Sequence, residues 1–116
     1  MPYDLIDKLI EKQKADREKR RDEVLDSLKK ILEELAPKYG FSKAYIFGST
    51  VKKGRFRSES DVDIAVFDLK DQHFFLLMAE ISRRLERNVD LYQITVLDEG
   101  LRKKIEEQGE LWTRED

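Results

Sequence analysis

The chain contains 116 residues, of which 40% are hydrophobic and 41% charged, and its formal net charge is −2 at pH 7. This length suits one compact domain rather than two, so we expect a single domain over residues 1–116. There is no cysteine, which excludes disulfides and thiolate metal sites and favours a reducing compartment. The sequence shows no secretory signal and no apolar run near the ~20 residues of a membrane span. We therefore expect a soluble, cytoplasmic protein.

The net charge gives no indication of direct binding to nucleic acid, but the charge is unevenly distributed. Residues 1–40 contain ten basic and ten acidic side chains, whereas residues 41–58 contain five basic side chains and no acidic one. Acidic residues return at Glu59, Asp61 and Asp63. A positive stretch beside a tight acidic pair is the charge pattern that a site for a metal and a triphosphate requires.

The first predicted element covers residues 4–36, as one long helix or as two helices in line. Its second half has apolar side chains at a helical period, which should pack on a sheet; they are Val24, Leu25, Leu28, Ile31, Leu32 and Leu35. The segment from Lys12 to Glu23 is almost wholly polar and should project into solvent. Pro37 and Gly40 are expected to stop the helix.

The N-terminal end of this helix bears an apolar patch that has no place in the main core. Its members are Tyr3, Leu5, Ile6, Leu9 and Ile10. Exposed apolar patches mark interaction sites, so we expect this patch to dock a partner or to pair with a second copy of the chain. Residues 1–22 are therefore predicted to be an N-terminal helical extension, and residues 23–113 the core of the domain.

The remaining elements alternate between short β-rich runs and helical patterns. In order, the sequence predicts a buried strand at 44–47, a turn and loop at 48–60, a strand at 62–67, a helix at 71–87 ended by Asn88, a strand at 89–94, a helix between the cap Asp98 and the stop Gly109, and a short edge strand at 111–112. This pattern predicts an α/β (α+β) fold in which helices pack on a small mixed sheet of three to four strands.

The pair Asp61 and Asp63 carries the most specific chemical signal. Residues two apart on a strand point to the same face, so the two carboxylates should project together and repel each other unless a cation lies between them. Oxygen ligands favour Mg²⁺ or Mn²⁺. If the strand at 89–94 pairs beside the strand at 62–67, Asp90 reaches the same place, and three carboxylates around metal ions suit phosphoryl transfer. The alternative is that Asp90 is simply an acid at a strand edge.

Gly48 and Ser49 directly follow the first predicted strand. A glycine there lets the backbone approach a ligand closely, and Ser49 is expected to open a helical turn whose N–H groups and hydroxyl suit phosphate oxygens. The loop beyond carries Lys52, Lys53 and Arg55. Some of these cations should balance the charge of a triphosphate, and the alternative is that they are ordinary solvated side chains.

Phe47-Gly48-Ser49 followed by Ser60-Asp61-Val62-Asp63-Ile64 resembles the signature of the polymerase-β-like nucleotidyltransferase superfamily. Asn88-Val89-Asp90-Leu91-Tyr92 is similar to the strand that bears the third carboxylate in its minimal (MNT) branch. The resemblance covers residues 24–112. It implies a palm-like nucleotidyltransferase fold in which the Gly-Ser pair grips the triphosphate of ATP and the Asp-x-Asp pair binds Mg²⁺ or Mn²⁺. The third acid would be a metal ligand or a base for the acceptor. In this sequence those positions are Gly48 and Ser49, Asp61 and Asp63, and Asp90, respectively.

The resemblance also implies a partner. Many MNT proteins are encoded beside a HEPN-domain toxin and act as its antitoxin, by transferring AMP from ATP to a tyrosine of the HEPN ribonuclease in type VII-like toxin–antitoxin pairs. The alternatives are an antitoxin that blocks a HEPN toxin by contact alone, and nucleotidylation of a small molecule. Two features depart from the pattern. Eleven residues separate Ser49 from Asp61, one more than is usual in this branch, and residues 1–22 lie outside it.

Overall fold

The structure is a computed structural model that describes residues 2–57 and 60–114. Over these ranges the chain forms three α-helices, four strands and three 3-10 helices. In chain order they are α1 (Pro2–Tyr39), β1 (Lys43–Phe47), a 3-10 helix (Gly48–Val51), β2 (Val62–Val66), a 3-10 helix (Asp71–His73), α2 (Phe74–Leu85), β3 (Val89–Gln93), a 3-10 helix (Ile94–Val96), α3 (Glu99–Gln108) and β4 (Glu110–Thr113). The predicted α/β class is confirmed. Residues 58–59 of the predicted loop fall outside the described ranges.

The four strands form one mixed sheet in the order β3-β2-β1-β4. β1 pairs antiparallel with β2 and with β4, while β2 and β3 run parallel. The adjacency on which the predicted role of Asp90 depended is therefore present. The expected edge strand at 111–112 is also present, and it spans Glu110–Thr113.

One apolar cluster joins α1, α2 and one face of the sheet. The stripe predicted in the second half of α1 belongs to it, with Leu28 and Leu32 fully buried. On β2 the contributing residues are Val62, Ile64 and Val66, at every second position. The residues between them therefore point to the opposite face of the sheet, which α1 and α2 leave open.

α1 is one continuous helix, and the expectation that Pro37 stops it is wrong. Pro37 lies inside the last turn, which continues to Tyr39. A proline lacks the N–H that would bond to the carbonyl one turn earlier, but the burial of Leu35, Ala36 and Tyr39 around it holds this turn on the core. Gly40 ends the helix as expected: its φ is 84° and its N–H donates to the carbonyl of Ala36 at 2.8 Å.

The polar segment of α1 between residues 12 and 23 does not simply project into solvent, which corrects the sequence-based expectation. Arg17, Glu18 and Arg21 are partly covered, because the loop that follows β1 folds back against this part of the helix. Glu18 accepts a hydrogen bond from the N–H of Gly54 at 2.6 Å. The hydrophobic pattern of a sequence does not predict such polar contacts, because they involve no apolar side chain.

The apolar patch near the start of α1 is exposed, as predicted. Its described members are 45–63% exposed: Leu5, Ile6, Leu9 and Ile10. Tyr3, the fifth predicted member, lies outside the described side chains.

α2 ends earlier than the sequence suggests. Its last helical residue is Leu85, and Glu86 adopts a left-handed conformation with φ of 56°, so Asn88 is not the residue that breaks the helix. α3 has its predicted cap, since the carboxylate of Asp98 accepts from the N–H of Leu101 at 2.8 Å. Within the described ranges, no helix has the length and apolarity needed to cross a membrane.

Candidate active site

The sheet register brings two of the three predicted acids side by side. Asp63 on β2 is paired with Asp90 on β3, and neighbouring strands lie about 4.8 Å apart. The N–H of Val62 donates to the carbonyl of Asn88 at 3.0 Å, which holds the two strand starts in this register. Asp61 lies just before β2 and is exposed, as is Asp90, whereas Asp63 is half-buried.

The three acids repel one another, and Asp63 is the most affected. Burial raises the pKa of Asp63 from 3.8 to about 6, and the charges of Asp90 and Asp61 contribute to the rise. Burial and the same three carboxylates also raise the pKa of the Tyr92 phenol. The carboxylate at position 63 therefore binds a proton more strongly than an ordinary aspartate.

Gly48 lies directly against this carboxylate. Its φ is 79°, and a Cβ placed on it would lie 2.5 Å from Oδ2 of Asp63, closer than non-bonded atoms tolerate. The approach arises because Phe47, the last residue of β1, pairs with Asp63 across the sheet. The backbone then turns into the 3-10 helix Gly48–Val51, which includes Ser49. The predicted glycine–serine turn therefore adjoins the predicted acids.

Of the three basic residues predicted for phosphate binding, one lines a cavity beside the glycine–serine turn. Lys52 lines a cavity of about 170 Å³ between this turn and α3. Lys53 and Arg55 are exposed and are not among its lining residues. The described residues around the cavity include no acidic side chain; they are Phe47, Gly48, Val51, Lys52, Leu101, Lys104, Ile105, Gln108 and Gly109.

Two features of this region escape sequence reasoning. Lys104 on α3 is the second cation at the cavity, although it lies far from the signature in the sequence and has Lys103 as an indistinguishable neighbour. Tyr92 packs on Phe47 with ring centroids 5.7 Å apart, so an aromatic pair borders Asp63 and Asp90. Only the folded positions of α3 and β3 identify these side chains.

The donor set suits a hard divalent cation. The carboxylates of Asp63 and Asp90 supply oxygen ligands, which Mg²⁺ and Mn²⁺ prefer, and a cation between them would relieve the repulsion between the two charges. The three acids do not form a complete ligand set: among the described residues, no group of three histidine, cysteine, aspartate or glutamate side chains is arranged to hold a metal ion. The side chains of Asp61 and Asp90 are exposed.

A family model supports the resemblance in the signature residues. The model described as "Polymerase beta, Nucleotidyltransferase" matches residues 28–116. The chain belongs to this nucleotidyltransferase family. The match begins within α1, and the predicted division into an extension at 1–22 and a core at 23–113 stays a prediction.

Solved structures share the nucleotidyltransferase fold. A toxin–antitoxin structure with AMP-PNP is 22% identical, covers 76% of this chain and 74% of that chain, and has a TM-score of 0.63. A complex of a tri-AMPylated Shewanella oneidensis HEPN toxin with an MNT antitoxin is 23% identical, with coverages of 82% and 73% and a TM-score of 0.57.

A third structure, of a candidate nucleotidyltransferase from Sulfolobus solfataricus, is 32% identical, with coverages of 81% and 84% and a TM-score of 0.51. No protein of curated function matches the chain by sequence.

Asp63→Asn should increase the free energy of unfolding at neutral pH without divalent cations, because a neutral amide has no charge to bury or repel. A rise in pKa from 3.8 to about 6 corresponds to ~3 kcal/mol, and solvent screening of a half-buried group reduces the expected gain to about 1 kcal/mol. The folded-state pKa exceeds the unfolded one, so the penalty is present above pH 6 and is lost towards pH 4. Urea unfolding of the wild type and the variant at neutral pH and at pH 4 measures the gain in the free energy of unfolding. A gain that is equal at the two values would contradict this origin.

Gly48→Ala should destabilise the protein more than Gly54→Ala. Both glycines have φ near 75–79°, so both substitutions carry the left-handed strain of about 1 kcal/mol. Only the Cβ at position 48 meets Asp63, since nothing lies within 4 Å of a Cβ at position 54. Urea unfolding of the two variants gives the difference. The extra cost should shrink when Asp63→Ala is combined with Gly48→Ala, and equal costs for the two glycines would contradict the expected penalty for displacing the Asp63 carboxylate.

Proposed function

We propose that this chain transfers a nucleoside monophosphate, AMP from ATP, to a hydroxyl group of a partner protein. The observation that carries the proposal is the contact between the Asp63 carboxylate and the backbone of Gly48, with Asp90 on the adjacent strand. This contact brings an acidic pair suited to a metal ion next to a turn suited to phosphate. Membership of the nucleotidyltransferase family supports the same reaction class.

In this proposal Asp61, Asp63 and Asp90 hold Mg²⁺ or Mn²⁺. When bound, the metal would neutralise charge on the triphosphate and activate the attacking oxygen. The acceptor oxygen bonds to the α-phosphorus, the bond from that phosphorus to the bridging oxygen breaks, and pyrophosphate leaves. Asp90 is exposed on an edge strand, which makes it the carboxylate best placed to accept the proton from the acceptor hydroxyl.

The phosphate tail is assigned to the turn and the adjoining cavity. The glycine–serine turn begins at Gly48, and the hydroxyl of Ser49 in this turn is a donor for phosphate oxygens. Lys52 and Lys104 line the cavity and balance the charge of the β- and γ-phosphates. Lys53 and Arg55 are not cavity residues, and we assign to them a contribution to the local positive potential rather than a direct contact.

The proposed partner is a HEPN toxin, which this chain would silence as an antitoxin by adding AMP to a tyrosine. Two of the similar structures support this choice: one is a toxin–antitoxin structure with AMP-PNP, and the other contains a tri-AMPylated HEPN toxin with its MNT antitoxin. Transfer to a protein inside the cell also agrees with the cysteine-free sequence.

A second candidate function is neutralisation by contact alone. The exposed apolar patch on α1, from Leu5 to Ile10, favours it, because a surface of this kind can bind a partner without chemistry. The two functions differ in whether the acids are needed, and a single set of variants separates them.

The combined variant Asp61→Asn/Asp63→Asn should lower AMP transfer by about a hundredfold or more, because it removes two of the proposed metal ligands. The assay uses α-labelled ATP, Mg²⁺ and, as the acceptor, the protein encoded by the gene next to that of this chain. Asp26→Asn is the matched control, since Asp26 is an exposed acid on α1. If the double variant still neutralises the toxin fully, contact is the mechanism. If the wild-type chain labels no acceptor with any of the four nucleotides, the transferase proposal is wrong.

Lys104→Ala should weaken binding of a non-hydrolysable ATP analogue by roughly tenfold, the effect expected for one charge-assisted contact to phosphate. Lys103→Ala is the control, because Lys103 is the adjacent lysine on α3 and does not line the cavity. Isothermal titration calorimetry measures both dissociation constants. Equal effects of the two substitutions would remove Lys104 from the phosphate site.

A further inference from the structure

Two side chains of α1 contact the loop that follows the glycine–serine turn. One carboxylate oxygen of Glu18 accepts from the N–H of Gly54 at 2.6 Å. Its other oxygen lies 2.9 Å from Nε of Arg21, and the guanidinium of Arg21 donates to the carbonyl of Thr50 at 3.3 Å. The linked pair therefore attaches to both ends of the segment 50–54.

These contacts are not those of freely solvated charges. The side chain of Arg21 is only 12% exposed and that of Glu18 is 31% exposed. The hydrogen bond from Gly54 and the charge of Arg21 lower the pKa of Glu18, so the carboxylate remains ionised and its hydrogen bonds are charge-assisted. Thr50, whose carbonyl Arg21 holds, is fully buried.

The segment held in this way contains Lys52. Its backbone makes local turn bonds: Lys52 donates to Ser49 at 3.2 Å, and Arg55 donates to Lys52 at 3.2 Å. Gly54 has a positive φ of 75°, a conformation that glycine enters and leaves at little cost. Burial holds Thr50 and Val51 at the start of this turn. The exposed residues from Lys52 to Gly54 lack such packing, so the contact between Glu18 and Gly54 restricts their conformation.

The two side chains come from outside the part of the chain that matches the family model. That match begins at residue 28, and Glu18 and Arg21 lie two to three helical turns earlier on the same continuous α1. The segment of α1 that precedes the family match is therefore connected to the turn that adjoins Gly48 and Asp63.

We propose that Glu18 and Arg21 are positioning residues, which hold the segment 50–54 so that Lys52 faces the cavity beside Gly48. The inference rests on the proposed function, because it assigns to these residues an effect on triphosphate affinity. Loss of Glu18 or Arg21 leaves Asp63 and Asp90 in place, but Lys52 is no longer held at the cavity. Binding of the triphosphate then weakens, while the transfer step at saturating nucleotide changes little.

The test compares Glu18→Ala and Arg21→Ala with two controls on the same stretch of helix, Glu23→Ala and Lys19→Ala, whose side chains are exposed. Amide hydrogen exchange at Gly54, measured by NMR on the full chain, should become roughly tenfold faster in the two test variants only. The dissociation constant of a non-hydrolysable ATP analogue and the KM for ATP should each rise by about three- to tenfold, with kcat nearly unchanged.

Glu18→Gln provides the conservative variant. Its amide oxygen still accepts from Gly54 but carries no charge for Arg21, so exchange and affinity should fall between those of the wild type and Glu18→Ala. If Glu18→Ala lowers the melting temperature, Glu18→Gln is compared with the wild type in its place. Unchanged exchange at Gly54, or faster exchange with wild-type affinity, would overturn the positioning role alone. A wild-type chain that binds no triphosphate would overturn the proposed function, and the positioning role with it.

Discussion

The carboxylate of Asp63 lies against the backbone of Gly48 so closely that no side chain fits between them. This approach follows from the antiparallel pairing of β1 with β2, in which Phe47 is opposite Asp63. The parallel pairing of β2 with β3 then adds Asp90 at the same level of the sheet. The sheet register therefore determines which acids lie next to each other and where the glycine–serine turn begins. A slip of one residue would place Asp63 on the buried face.

The rest of the fold allows this arrangement to exist at a cost in stability. α1 and α2 bury one face of the sheet in an apolar cluster, so the other face is free to carry side chains that do not favour folding. Asp63 is half-buried beside two like charges, and its pKa rises to about 6. Sites that bind metal and phosphate commonly hold such unfavourable charges, because the ligand relieves the repulsion. The repulsion is thus an indication of what this face of the sheet binds.

Short-range patterns predicted the elements and the acids, but contacts between distant segments could not be predicted from them. Strand periodicity predicted that Asp63 points away from the core, and the glycine after β1 predicted a close backbone approach; the structure has both features. Pro37 was misjudged since the burial of neighbouring side chains outweighs its local preference. Lys104 was not identified because nothing in its own segment distinguishes it from Lys103. The loop after the glycine–serine turn meets the part of α1 that precedes the family match where Glu18 contacts Gly54.

The central claim is that the acids at positions 63 and 90 share a cation beside the glycine–serine turn. The most direct measurement is an anomalous difference map from crystals grown with Mn²⁺ and a non-hydrolysable ATP analogue. We expect a manganese peak in contact with the carboxylates of Asp63 and Asp90, with the phosphates of the analogue along Gly48 and Ser49. A nucleotide bound elsewhere on the chain, or a manganese ion that contacts neither carboxylate, would contradict it.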